Sequence, residues 1–282
     1  MMDKDKSGEL FIKRTLELAR RAADGVFAPG DFLSPKEIHD ADAALLKNGY
    51  RGTYSFYGGY GDAERRRLYC FPDYMLWEDA QSAAVTASND DISVLRVDGS
   101  GYRTLSHRDF MGSVLALGIK RTVVGDIIVD ENSSDKNKSE NESSGNGGAP
   151  GAYIFCDRDI AGYLKENLTR IGSDAVKVRV LSLSELPDGF SANRKTEPIS
   201  DTVASMRADC VIAALVNCPR ERAKAIIIQG LADVNYETLY KPDAELSAGD
   251  IVSVRGEGKF RITGTDGVTR RGRLRLSAQK YI

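Results

Sequence analysis

The chain has 282 residues, 41% of them hydrophobic, so it is long enough for more than one domain and apolar enough to bury cores, which excludes a wholly disordered polymer. Its formal net charge of −2 hides an uneven distribution: residues 203–282 carry 13 Lys and Arg against 9 Asp and Glu, and a basic end on an acidic body predicts a local binding surface for a polyanion. Four scattered cysteines and two histidines show no zinc-ligand spacing, the N-terminus lacks an apolar signal core and no apolar run reaches the ~20 residues of a membrane span, so we expect a cytoplasmic protein without a metal site or a membrane anchor.

Two helices are predicted near the N-terminus, and we assign residues 1–80 to a helical segment. Apolar residues recur on one face of Glu9–Asp24, and basic residues fill the opposite face. A second helix begins at Ser34–Glu37, a capping-box sequence with proline at the first helical position. Asn48-Gly49 ends that helix.

The middle of the chain, residues 81–186, alternates strands and helices in the order β-α-β-β-α-β, the ferredoxin-like pattern. The predicted strands are Ile92–Val97, Asp126–Val129, Tyr153–Phe155 and Val176–Val180, and the predicted helices are His107–Leu117 and Arg158–Ile171. Residues 132–151 are almost entirely small, polar or charged, so we expect a disordered insertion there. Tyr153 and Phe155 stand two residues apart, like stacking aromatics of an RNA recognition module, but the first strand offers no aromatic partner, which favours packing in a core.

A linker is predicted over residues 187–201, followed by a small basic domain over residues 202–282. Its predicted helices are Ala204–Val216 and Pro219–Gly230, and its predicted short strands are Leu231–Asn235 and Ile251–Arg255. Lys259–Gly264 and Arg273–Leu276 are predicted to form a hairpin around a turn at Asp266-Gly267. The predicted fold class is therefore α+β, in three parts.

An ordered string of motifs in this basic domain resembles the RNA-binding domain named after the fourth small-subunit ribosomal protein, here called the S-four domain. The motifs are Arg207-x-Asp209, Arg220-x-Arg222-Ala223, Gly230-Leu231-x-x-Val234-Asn235 and Gly249-Asp250-x-Val252-x-Val254-Arg255. Two positions depart from the pattern. Cys218-Pro219 stands where a serine often caps the second helix, and Tyr236 stands where glycine commonly makes a sharp turn.

Basic side chains of this domain are predicted to bind RNA phosphates. Arg220, Arg222 and Lys224 open a helix whose dipole and free N–H groups also favour phosphate; surface ion pairs with Glu221 or Asp209 are the alternative. The predicted RNA-binding set is Arg207, Arg220, Arg222, Lys224, Asn235, Arg255, Lys259, Arg261, Arg270, Arg271, Arg273 and Arg275. A second set is Arg65, Arg66 and Arg67, which either touch RNA or form a solvated face, together with Tyr236, which could stack on a base.

The last predicted strand aims two arginines at the same side. Alternation places Leu274 and Leu276 against a core, and Arg273 and Arg275 outward. Like charges on one strand face repel each other, so folding alone does not account for them. We expect the hairpin to extend the RNA surface; the alternative is that its charges pair with the acidic N-terminal body.

Further motifs resemble the YlmH family of bacterial RNA-binding proteins. They are Tyr57-Gly58-Gly59-Tyr60, Ala63-Glu64-Arg65-Arg66, Pro72-Asp73-Tyr74, Leu105-x-His107-Arg108-Asp109, Leu117-Gly118-Ile119-Lys120-Arg121 and Gly125-Asp126-Ile127. The resemblance implies partners among ribosomal RNA and tRNA on the large ribosomal subunit, in quality control of stalled peptidyl-tRNA complexes. We expect no catalytic residue, cofactor or small-molecule substrate, because neither a pseudouridine synthase motif nor a cofactor-binding glycine loop of a methyltransferase occurs. The alternatives are an RNA-modifying enzyme and a cell-division-associated interaction protein.

Overall fold

The computed structural model describes residues 2–27, 29–72, 80–130, 151–192, 194–270 and 272–282, and it contains two compact units, Met1–Ala192 and Asn193–Ile282. Both units combine helices with antiparallel sheet, which confirms the predicted α+β class. Residues 132–150 of the predicted insertion lie outside the described residues.

The first unit opens with two helices and a three-stranded antiparallel sheet. The elements are α1 Met2–Ala23, β1 Phe32–Leu33, α2 Pro35–Lys47, β2 Tyr54–Tyr57 and β3 Arg66–Cys70, with the sheet order β1-β3-β2. The Ser34 capping box is confirmed, since the Ser34 amide donates to Glu37 Oε2 at 2.7 Å and the Ser34 hydroxyl oxygen accepts from the Glu37 amide. The helical assignment of this segment was wrong in one respect, because it omitted the sheet.

Burial of consecutive residues explains why alternation did not predict β3. A half-exposed strand alternates apolar and polar residues, but Leu68, Tyr69 and Cys70 are all buried, and the arginine run before them has the composition of a surface loop.

The rest of the first unit is a β-α-β-β-α-β arrangement, preceded by a helix. Its elements are α3 Ala80–Asp91, β4 Ile92–Asp98, α4 His107–Ala116, β5 Val124–Asp130, β6 Gly151–Asp157, α5 Arg158–Asn167, the two-residue strands β7 Arg170–Ile171 and β8 Asp174–Ala175, and β9 Lys177–Leu181. The four long strands form one antiparallel sheet in the order β5-β6-β4-β9. Asp157 caps α5 as predicted, accepting from the Asp159 amide at 3.0 Å. That helix ends at Asn167, earlier than predicted, and Ile171 is the buried end of β7.

Both faces of this four-stranded sheet are covered. On one face, Phe110 of α4 and Leu164 of α5 pack on Leu95 and Ile154. The other face is covered by earlier and later parts of the chain, so that Phe155 is fully buried beside Tyr60. Tyr153 and Phe155 are therefore packing residues, as the missing aromatic partner on the first strand indicated.

The second unit is a six-stranded antiparallel sheet with two helices on one face. Its elements are β10 Thr196–Val203, α6 Ala208–Leu215, α7 Arg220–Ile228, β11 Ala232–Val234, β12 Glu237–Thr238, β13 Ile251–Val254, β14 Gly258–Val268 and β15 Leu274–Tyr281, with the sheet order β10-β15-β14-β13-β11-β12. Val211 and Ile227 from the helices pack on Val252, Phe260 and Leu276 from the sheet. We call the helix-covered side of this sheet its inner face and the opposite side its outer face.

Two sequence predictions fail in this unit. The second half of the predicted linker is β10, which pairs along the whole of β15. The predicted turn at Asp266-Gly267 lies within β14 instead, where Gly267 has a φ of +82° and the pairing register shifts between Thr265 and Val268. The Asp-Gly pair therefore forms a bulge, because the left-handed glycine that suits a tight turn suits a bulge equally well.

Candidate nucleic-acid interface

A buried carboxylate lies at the start of the two helices of the second unit. Asp209, in the first turn of α6, is fully buried. One of its oxygens accepts from Arg220 Nε at 2.9 Å and lies 2.7 Å from Arg220 Nη2; the other accepts from Arg207 Nε at 3.4 Å. The arginine side chains remain 47% and 43% exposed, respectively. Asp209 therefore holds two guanidinium groups side by side at the surface.

The pKa values of this cluster reflect its charge pairing. Burial raises the pKa of Asp209, but the hydrogen bonds from Arg220 and Arg207 outweigh burial and hold the pKa below the usual value of an aspartate. The hydrogen bond to Asp209 in turn raises the pKa of Arg220. The cluster is therefore one carboxylate with two guanidinium groups, which leaves a net positive charge at the surface.

The other basic residues of α7 also have acidic partners. Arg222 Nη2 lies 2.9 Å from Glu257 Oε1, and Lys224 Nζ lies 2.8 Å from Glu221 Oε1. Ion pairs, the alternative considered from the sequence, are thus present, although Arg222 pairs with Glu257 and its side chain is still 62% exposed. Exposed pairs of this kind are weak, so an incoming phosphate can compete for the cation.

The strands β11 and β12 are joined by a two-residue turn, Asn235-Tyr236, in which tyrosine occupies the position where glycine is common. Asn235 and Tyr236 both have positive φ, at +48° and +70°, while Val234 pairs with Glu237 across the turn. The Asn235 side chain donates to Asp250 Oδ1 at 2.8 Å and accepts from the Ile251 amide at 2.9 Å. Asn235 was predicted to bind RNA, but its side-chain amide links the turn to Asp250 and Ile251, which corrects that assignment to a structural role.

The Tyr236 ring lies beside the outer face of the sheet. Lys259 Nζ stands 5.6 Å from the centre of the Tyr236 ring and 5.2 Å from the centre of the Tyr281 ring. Lys259 and Tyr281 are direct partners across β14 and β15. Tyr281 was not predicted to lie on this face, although alternation continued from Arg273 and Arg275 along the same strand places it on their side.

The terminal hairpin has the alternation that the sequence predicts. Leu276 is buried and Leu274 packs against the core, whereas Arg273 and Arg275 are exposed. Arg273 also donates a hydrogen bond to the Thr202 carbonyl. Of the remaining predicted residues, those with exposed side chains are Arg255, Arg261 and Arg270. Arg271 lies outside the described residues.

The arginine run of the first unit is largely used in folding. Arg67 is buried and pairs with Asp157 at 3.1 Å, so its predicted contact with RNA is corrected to a structural role. Arg65 donates to the carbonyls of Phe32, Arg121 and Val124, and burial lowers its pKa. Arg66 Nε donates to the Ala63 carbonyl at 2.7 Å.

In the part of the chain that the structure describes, no three His, Cys, Asp or Glu side chains are grouped as ligands of a metal ion. None of the described helices has the length and apolar character needed to cross a membrane.

Comparisons with known proteins relate this chain to others. Residues 89–140 match the family model described as "Putative RNA-binding domain in YlmH". The chain is 26% identical to the "Ribosome-associated protein quality control protein P2" of Bacillus subtilis (strain 168), over 98% of this chain and 96% of that protein. A solved structure, "Cell division protein ylmH from Streptococcus pneumoniae", is 21% identical, with a TM-score of 0.46 and coverage of 64% of this chain and 95% of its own.

The matched domain and the relative aligned over nearly the full length define the class as proteins with a YlmH-type RNA-binding domain. Within that class, the chain is similar to proteins of the YlmH family.

Proposed function

We propose that this protein is a non-catalytic RNA-binding protein that recognises ribosomal RNA, tRNA or both on the large ribosomal subunit, in quality control of stalled peptidyl-tRNA complexes. The observation that carries the proposal is the fully buried Asp209, which holds Arg207 and Arg220 together at the surface of a basic unit. Paired guanidinium groups held in place suit the bidentate recognition of phosphate oxygens. Ribosome association and quality control appear in the name of the relative that aligns over nearly the whole chain.

We further propose that the two units contain known RNA-binding folds. The β5-β6-β4-β9 sheet with α4 and α5 on one face supports a ferredoxin-like module. The two short helices on a small sheet, with their motif arginines at both helix starts, support an S-four-type domain.

The proposed RNA contacts are basic residues of the second unit whose side chains are exposed or partly exposed. At the helix starts they are Arg207, Arg220, Arg222 and Lys224, and on the loops and strands they are Arg255, Lys259, Arg261, Arg270, Arg273 and Arg275. Arg271 remains a prediction from the sequence. Asn235 and Arg67 are left out because their side chains are used within the fold.

The test of the helix-start site is the double substitution Arg220→Ala with Arg222→Ala. Each lost phosphate contact removes about one unit from the slope of log affinity against log salt, so the slope should become shallower by about 2, with weaker binding to many RNA sequences. The matched control is Arg20→Ala with Arg158→Ala, which removes two exposed arginines that also pair with acidic residues, but in the first unit. An unchanged affinity and salt slope in the first double variant would remove this site from the proposal.

The ribosomal and non-catalytic parts are tested with the same proteins. The unsubstituted protein should sediment with large ribosomal subunits, and the Arg220/Arg222 variant should do so less. Bound RNA recovered after incubation should have unchanged nucleotide masses. A mass change would favour the RNA-modifying alternative.

A further inference from the structure

We propose that Tyr236, Lys259 and Tyr281 form a stacking site for an unpaired base, on the outer face of the six-stranded sheet. This inference rests on the proposed function, since it presumes that the second unit binds RNA. It adds a second kind of contact: the arginines at the helix starts suit phosphates, which every RNA strand carries, whereas a stacking site requires a base that has left its helix.

The backbone of Tyr236 is strained. Its φ of +70° lies in the left-handed region, which a bulky residue adopts only at a cost in free energy. A two-residue turn of this geometry favours Asn or Asp followed by Gly. Asn235 satisfies that preference at the first position, so glycine at the second would complete the turn without strain. The turn geometry therefore does not explain a tyrosine at this position, and we attribute its presence to a role of the aromatic ring.

The Tyr236 ring lies beside an ammonium group that a second tyrosine ring also approaches. Tyr236 and Tyr281 approach the Lys259 ammonium group at 5.6 and 5.2 Å, measured from the ring centres. All three side chains are only partly buried. Aromatic rings offer flat surfaces to a base, and an ammonium group between them is suited to the phosphate that accompanies it.

The outer face around this cluster carries polar and basic side chains. The helices pack on the inner face through Phe260, Ile262 and Ala278, so the residues that alternate with these point the other way. On the outer side, Arg261 and Gln279 are cross-strand partners next to Lys259 and Tyr281, and Arg275 lies further along β15. This face combines rings, cations and polar groups, which is the combination found on surfaces that bind single-stranded nucleic acid.

The test uses Tyr236→Gly in the full chain, because glycine keeps the turn and removes only the ring. Two labelled RNAs of equal length serve as probes, a hairpin with an unpaired loop and a blunt duplex. The variant should bind the hairpin about tenfold more weakly, since stacking of one base has roughly that effect on affinity, and should bind the duplex as before. Its melting temperature should stay the same or rise. Tyr236→Phe should keep the affinity, and Tyr240→Ala is the matched control, because Tyr240 is an exposed tyrosine of the same unit.

A direct readout is 2-aminopurine in the hairpin loop, whose fluorescence falls when it stacks on a ring. Quenching by the unsubstituted protein, absent with Tyr236→Gly, would support the stacking site. Equal hairpin affinity and equal quenching in both proteins would overturn it and leave the two rings with a structural role beside Lys259. If the unsubstituted protein binds neither RNA, the proposed function itself fails, which is a different result.

Discussion

At the scale of single residues, the most consequential side chain is Asp209. A carboxylate without solvent exposure is costly to bury unless it is paired and hydrogen-bonded, and here both oxygens face arginines. The sequence shows the Arg-x-Asp pattern but not its burial. The sequence could therefore suggest that Asp209 and Arg220 interact, but not that a buried Asp209 pairs with both Arg220 and Arg207.

We predict that Asp209→Asn lowers both stability and RNA affinity. The substitution keeps the shape but removes the charge, and hydrogen bonds to charged groups contribute about 1.5–3 kcal/mol, so the free energy of unfolding should fall by about 2 kcal/mol. Urea unfolding measures the first effect and RNA titration the second. The pH dependence gives an internal check, because the pKa of Asp209 is lowered on folding.

The stabilisation by a carboxylate with a lowered pKa is fully present above its unfolded value near 4 and is lost as the pH falls through the folded value. The difference in unfolding free energy between the unsubstituted protein and Asp209→Asn should thus be constant from about pH 7 to pH 5 and shrink below about pH 4. A difference that persists undiminished to pH 2 would contradict the charge pairing.

The same limit explains the two residues that the sequence misassigned. Arg67 and Asn235 have the chemistry of RNA-binding residues, and a sequence reports chemistry directly. Their roles depend on long-range contacts, since Arg67 pairs with Asp157 and Asn235 bonds to Asp250 only after the chain has folded. No local sequence pattern predicts those contacts.

At the scale of elements, strands were predicted best where apolar and polar residues alternate along the sequence. Alternation in Val176–Val180 and in Arg273–Leu276 predicted the strands observed at Lys177–Leu181 and Leu274–Tyr281, whereas the buried Leu68–Cys70 had no alternation to detect. Glycine signals were ambiguous for a different reason. Gly267 has the positive φ that its Asp-Gly context indicates, but a bulge uses that conformation as readily as a turn.

At this scale we predict different effects for single substitutions of the two arginines of the terminal hairpin. Arg275→Glu changes an exposed outer-face residue, so it should weaken RNA binding and reduce the salt dependence while leaving the melting temperature unchanged. Arg273→Glu also removes the hydrogen bond to the Thr202 carbonyl, so it should weaken binding and lower the melting temperature. Retained RNA binding with a lower melting temperature in both variants would assign the hairpin to the stability of the fold.

At the scale of the whole molecule, charge and architecture divide the chain at nearly the same place. Residues 203–282 have a surplus of four basic residues, while the preceding residues have a surplus of six acidic ones. The second compact unit begins somewhat earlier, at Asn193. The sequence-based boundary at 202 came from composition and motif, and neither reveals that β10 is the partner of the last strand.

This difference in boundaries yields the last prediction, made with three fragments of the chain. The core of the second unit is formed by its own residues, from Ile199 to Ala278, so residues 194–282 should fold alone with one cooperative transition. A fragment of residues 202–282 lacks most of β10, which pairs with β15 from Leu274 to Tyr281, and lacks the packing of Ile199. It should lose about 2 kcal/mol of stability, which lowers the melting temperature of a domain this small by about 10 °C. A fragment of residues 187–282 is the control for added length and should have the same melting temperature as the fragment of residues 194–282. Equal melting of all three fragments would show that β10 contributes nothing to the unit, and that the boundary read from motifs was sufficient.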